Sequence, residues 1–171
     1  MDQSTSQPIP GAFGVNPVFS PDGQWIAFGN NNIFKVSLTG SAPELIYRGN
    51  SYNPGLYWTA DNAILFGTYS GGLAQVPVTG GTPTPVTTLD SSAGEISHRY
   101  PQLLPDGKSV IYTAKTKDMT SFDEALIVAQ RLNNGERKVI VKGGYYRRYI
   151  PSGHLIYLRG NTIFAIQFDA E

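Results

Sequence analysis

The chain has 171 residues, 40% hydrophobic and 12% aromatic, with 19 glycines, 12 prolines and no cysteine. That is enough for one domain with a buried core, and it excludes disulfides and thiolate metal sites. Thirteen basic and thirteen acidic side chains cancel, which removes the electrostatic ground for a nucleic acid or an anionic membrane as partner.

The first residues, Met1-Asp2-Gln3-Ser4-Thr5-Ser6-Gln7, have neither the basic nor the apolar stretch of a secretory leader. No apolar run nears the roughly 20 residues of a bilayer span, so the polypeptide as given reads as soluble. Residues 1–12 form an N-terminal segment whose end, Gln7-Pro8-Ile9-Pro10-Gly11, is a candidate closing strand for the far end of the chain. Its prolines restrict it to an edge.

A repeated phrase then begins. Residues 13–50 contain Ser20-Pro21-Asp22-Gly23-Gln24-Trp25-Ile26-Ala27-Phe28, a tight turn followed by β-branched and aromatic residues, then Ile33–Leu38 and Glu44–Tyr47. Residues 51–90 repeat it with Thr59-Ala60-Asp61-Asn62 leading into Ala63–Phe66, then Leu73–Val78 and Pro85–Thr88. Residues 91–143 do so with Leu104-Pro105-Asp106-Gly107 leading into Val110–Tyr112, and end on Lys138–Val141. Residues 144–171 hold Ile150-Pro151-Ser152-Gly153, Leu155–Tyr157 and Ile163–Phe168, and lack a fourth strand. The third turn residues, Asp22, Asp61, Asp106 and Ser152, stand 39, 45 and 46 residues apart. Short strands of period-two patterning at this spacing are propeller blades. The expected fold is all-β: a β-propeller of four four-stranded antiparallel blades. Rival readings are a larger ring completed by a second chain and an arc cut from a bigger propeller.

One segment offers an alternative. Ser121-Phe122-Asp123-Glu124 matches a capping box, and Ala125–Leu132 after it has the length of a short helix. It falls where the other repeats place their third strand, and Ile127-Val128 prefer strands, so a strand is expected.

The phrase Asn16-Pro17-Val18-Phe19-Ser20-Pro21-Asp22-Gly23-Gln24-Trp25-Ile26-Ala27-Phe28 resembles the TolB-type, WD-like propeller repeat. The stretches Gly80–Pro83 with Thr88–Asp90, Glu95–Gly107, and Gly143–Tyr157 resemble the propeller region C-terminal to the kinase domain of bacterial eukaryotic-like serine/threonine protein kinases. The likeness runs from about residue 6 onward. It implies a non-catalytic sensor or interaction module, extracytoplasmic in a parent protein.

The residues carry no kinase chemistry. His98-Arg99-Tyr100 lacks the Asp and downstream Asn of a catalytic loop, and Asp106-Gly107 is a turn. There is no Gly-x-Ser-x-Gly elbow and no phosphate-cradling glycine spacing. His98 and His154 lie 56 residues apart without the further ligands a metal needs. Asp22, Asp61, Asp106 and Ser152 read as turn formers rather than calcium ligands. No cofactor or metal is expected.

The functional candidates lie in the links into each repeat's first strand, which cross the face where propeller partners dock. They are Asn16, Tyr52, Asn53, His98, Arg99, Tyr145, Tyr146, Arg147, Arg148 and Tyr149. Aromatic and arginine side chains are the usual anchors of recognition surfaces. The expected role is binding of a protein or small-molecule partner, without enzymatic activity. Two alternatives remain: a glycan-acting propeller enzyme using Asp90 and Glu95 as its acid pair, and a self-assembling structural unit that forms a homodimeric ring.

Overall fold

The structure is a computed structural model that describes residues 8–49 and 52–170. Four antiparallel sheets follow one another along the chain, each a meander in sequence order. The first blade holds β1 (Val15–Phe19), β2 (Trp25–Gly29), β3 (Ile33–Ser37) and β4 (Glu44–Tyr47). The second holds β5 (Leu56–Trp58), β6 (Ala63–Phe66), β7 (Ala74–Pro77) and β8 (Thr84–Pro85). The third holds β9 (Glu95–Leu103), β10 (Ser109–Thr116), β11 (Leu126–Arg131) and β12 (Arg137–Lys142). The fourth has three strands: β13 (Tyr145–Ile150), β14 (His154–Arg159) and β15 (Thr162–Gln167). The sheets stand radially about one axis as a four-blade β-propeller, with β1, β5, β9 and β13 innermost.

The turns between first and second strands explain the repeated phrase. In the first, Ser20 Oγ donates to Asp22 Oδ1 at 2.5 Å and accepts from the Trp25 amide at 2.9 Å. In the second, Thr59 does the same with Asp61 and Ala63. In the third, Asp106 accepts from the Lys108 and Ser109 amides, both at 2.9 Å. Each acid thus closes its own turn. The residue after it lies at positive φ, Gly23, Asn62 and Gly107, as does Gly153 after Ser152 in the fourth turn.

Residues Phe122–Glu124 form a single 3-10 turn, with Ser121 Oγ accepting from the Asp123 amide, and the chain then continues as β11. The capping motif therefore serves one turn only. Pairing of Ile127 with Thr113 and Val141 on either side decides for a strand. The fourth strand expected at Pro85–Thr88 is shorter and earlier, because Thr87 turns its hydroxyl to the Leu73 amide instead of extending the ladder. Residues 8–12 form no strand, and the rest of the expected closing segment lies outside the described residues.

Apolar packing fills the seams between consecutive blades. Ala27, Ile33, Trp58, Ile64 and Phe66 join blades one and two. Leu65, Leu73, Val110, Tyr112 and Val128 join two and three. Leu104, Ile111, Ile127, Leu155 and Tyr157 join three and four. Among the described residues no fourth core of this kind lies between blades four and one. No helix among them is long and apolar enough to cross a membrane.

Candidate functional site

Six residues before each turn acid, or before Ser152, the inner strand carries a left-handed residue: Asn16 (φ 54°), Gly55 (94°), Tyr100 (53°) and Tyr146 (49°). A tyrosine there is strained. The ladders slip at three of these points, between Val15 and Val18, at Tyr100, and between Tyr145 and Arg148. Three of the inner strands are thus bent by a bulge at the same height, and in the second blade Gly55 makes the turn just before β5. The second repeat needs glycine because a Cβ on Gly55 would lie 2.5 Å from Tyr100 Cα.

The four inner strands line a cavity of about 550 Å³. Its wall includes Asn16, Tyr57, Tyr100, Tyr146, Arg147 and Arg148 and contains no carboxylate. The Tyr100 and Tyr146 rings meet edge to face, centroids 5.4 Å apart. Asn16 Nδ2 donates to the Tyr52 hydroxyl and to the Asn53 carbonyl, both at 3.3 Å. Tyr146 is 59% exposed.

Arg147 is the unusual member. It is buried, its Nη2 donates to the Ile111 carbonyl, and its Nε has no hydrogen-bond partner. Burial pushes its pKa down to about 9, which still leaves the guanidinium charged at neutral pH. A buried cation without a carboxylate is costly. Beside it, Arg148 is exposed.

The other sequence candidates separate by role. Tyr149 packs in the seam between blades three and four, where its backbone is clamped by Gln102, whose Nε2 donates to the Tyr149 carbonyl at 3.0 Å. Asn53 is buried and donates to the carbonyls of Asn30 and Asn31, tying blade two to blade one. Arg99 is buried between the rings of Tyr69 and Phe122, about 5 Å from each. Tyr145 packs on Phe122. His154 is exposed at the start of β14, just after the fourth turn, where it bonds Ser152. Most of these residues stand on the inner strands β9 and β13 rather than on loops.

His98 belongs to a buried network. Its Nε2 lies 2.9 Å from Glu95 Oε2 and its Nδ1 2.7 Å from Thr87 Oγ1. Arg137 donates to both Glu95 carboxylate oxygens, and the Asp90 amide donates to Oε2 at 2.8 Å. Asp90, the other acid, bonds Ser92 and the Ala93 amide at the surface. The described residues hold no group of three His, Cys, Asp or Glu suited to a metal ion.

Tyr57, Tyr100 and Gln102 were missed by the sequence reading. The fixed offset from the turn acids was the signal that places Tyr100 in register with Asn16 and Tyr146.

No family model and no curated protein matches the chain. Solved structures do. A calcium-binding regucalcin from Agrobacterium tumefaciens is 14% identical with a TM-score of 0.69, over 92% of this chain and 54% of that one. An oligogalacturonate lyase in complex with manganese is 15% identical, TM-score 0.64, over 89% and 49%. TolB from Acinetobacter baumannii is 17% identical, TM-score 0.63, over 88% and 41%. The chain is similar to TolB-like β-propellers in fold and spans about half the length of these structures.

Proposed function

We propose that the chain is a non-catalytic binding module whose axial cavity takes a carboxylate-bearing ligand. One observation carries this reading: the cavity wall has two arginines, one of them buried without a counter-charge, and no acid. A ligand carboxylate supplies the missing charge, and a fork-shaped guanidinium is suited to it. The paired rings of Tyr100 and Tyr146 offer a flat apolar surface for the ligand's body. In a parent protein of the kind the sequence resembles, this module would be the extracytoplasmic sensor.

A cation-dependent or acid–base role is less well supported by these residues. The cavity wall holds amide and hydroxyl oxygens but no carboxylate, the charged ligand on which calcium sites chiefly depend. Glu95, half of the acid pair an enzyme reading would use, is buried and saturated by Arg137, His98 and the Asp90 amide.

Benzoate and its neutral counterpart benzamide test the reading by thermal shift and calorimetry. Benzoate is expected to raise Tm in a concentration-dependent way, and benzamide is not. Arg148→Ala is expected to weaken benzoate at least about 10-fold with the fold retained. Arg147→Ala is a poorer probe, since it also opens a hole in a packed seam. Equal effects of benzoate and benzamide, or an unchanged response in Arg148→Ala, overturn the proposal.

A further inference from the structure

The four equivalent left-handed positions hold residues of two kinds. Gly55 and Asn16 are types that adopt this backbone readily, glycine having no Cβ and asparagine a short polar side chain. Tyr100 and Tyr146 are not, and a bulky ring at φ 53° or 49° is an outlier. Strain of this kind persists where the surroundings enforce it, and it gathers at binding sites.

The fold itself makes use of Tyr100. Its amide donates to the Pro54 carbonyl at 2.7 Å, and its ring lies so close to Gly55 that a Cβ there would be 2.9 Å from Cδ1. Tyr146 is a different case. Its ring is 59% exposed, and it meets Tyr100 edge to face. Burial therefore does not account for a tyrosine at this position.

The rest of the cavity wall supplies a reason. Phe19, Tyr57 and Trp58 also line it, so aromatic side chains reach the cavity from all four blades. Phe19 is 62% exposed, an apolar ring left uncovered in a concave site. A volume of about 550 Å³ is typical of sites for drug-sized molecules, with room for more than one ring. The two arginines of the wall follow Tyr146 directly in the chain.

We infer that Tyr146 contacts the ligand and sets its class: a carboxylate on an extended aromatic body of two fused rings or more. The inference rests on the carboxylate reading of the same cavity. The flat body packs on the exposed rings of Tyr146 and Phe19 while its carboxylate meets the arginines. Aromatic rings attract one another in offset or edge-on arrangements, an attraction that a saturated ring of the same size lacks.

Calorimetry with 2-naphthoate and its saturated counterpart, decahydronaphthalene-2-carboxylate, tests this. Wild type is expected to bind 2-naphthoate about 5-fold more tightly than the saturated acid. Tyr146→Asn installs the residue that blade one carries at this position. It is expected to weaken 2-naphthoate about 5-fold and to leave the saturated acid within about 2-fold. Its Tm is expected to fall by no more than about 2 °C, or to rise, because asparagine relieves the backbone. Tyr146→Phe keeps the ring and should keep the preference. Equal affinities of wild type for the two acids, or no binding of either, overturn the inference. So does a preference that survives Tyr146→Asn or is lost in Tyr146→Phe. A larger fall in the Tm of Tyr146→Asn also overturns it, by assigning the ring to the fold. The two readings fail separately: equal binding of the two acids removes the aromatic body and leaves the contrast of benzoate with benzamide intact. Equal binding of 2-naphthoate and 2-naphthamide removes the carboxylate instead.

Discussion

Glu95 is buried, with its carboxylate shared among Arg137, His98 and the Asp90 amide. Burial pushes its pKa up, but hydrogen bonds from His98, Arg137 and the Asp90 amide outweigh this and hold it at about 2. A carboxyl held below its unfolded value adds stability that is full above the unfolded pKa and is lost as pH falls through the folded one. Acid unfolding followed from pH 5 to pH 2 should therefore show wild-type stability declining as this contribution disappears. Glu95→Gln is expected to cost about 3 kcal/mol at pH 7, since it leaves Arg137 without its counter-charge, and to flatten that decline. An unchanged acid limb in Glu95→Gln would contradict this account. Thr113 is the opposite case: it is fully buried and its hydroxyl has no partner. Thr113→Val keeps the shape and removes the orphan, and is expected to add about 1 kcal/mol in urea unfolding. The acids were visible in the sequence, but nothing in their spacing told that Arg137, 42 residues from Glu95, would reach back to it.

At the scale of elements, the turns were the most legible part of the chain. A turn acid followed by Gly or Asn fixes both a side-chain hydrogen bond and a positive φ within four residues, so local chemistry decides the geometry. Gly107 tests this cleanly, because its φ is 63° and a Cβ there would meet nothing within 4 Å. Gly107→Ala is thus expected to cost about 1 kcal/mol from backbone conformation alone. Asn62→Gly, at the matching turn of blade two, should be tolerated within about 0.5 kcal/mol. Equal unfolding midpoints for Gly107→Ala and wild type would count against the assignment. The segment from Ser121 to Arg131 was less legible. Its capping motif is satisfied by one 3-10 turn, and only pairing with β10 and β12 makes the rest a strand. Local and non-local preferences competed there, and the ladder's many hydrogen bonds won.

Across the whole molecule, the repeat spacing and alternating strands were sufficient to specify an all-β propeller, because each blade's pairing is local in sequence and each seam repeats one pattern of apolar faces. The expected single-chain closure was a different kind of claim. It depends on whether the outward faces of blades one and four meet, and no residue type or spacing encodes that curvature. The candidate site divides the same way. Tyrosines and arginines before each inner strand could be picked out by composition, yet only the radial arrangement gathers Asn16, Tyr100, Tyr146 and Arg147 around one axis while sending Asn53, His98 and Tyr149 into the seams. The sequence alone therefore determined the blades, whose strands pair with near neighbours along the chain. The tertiary structure decided which side chains share a cavity and which are buried, because those contacts join residues tens of positions apart on four separate strands.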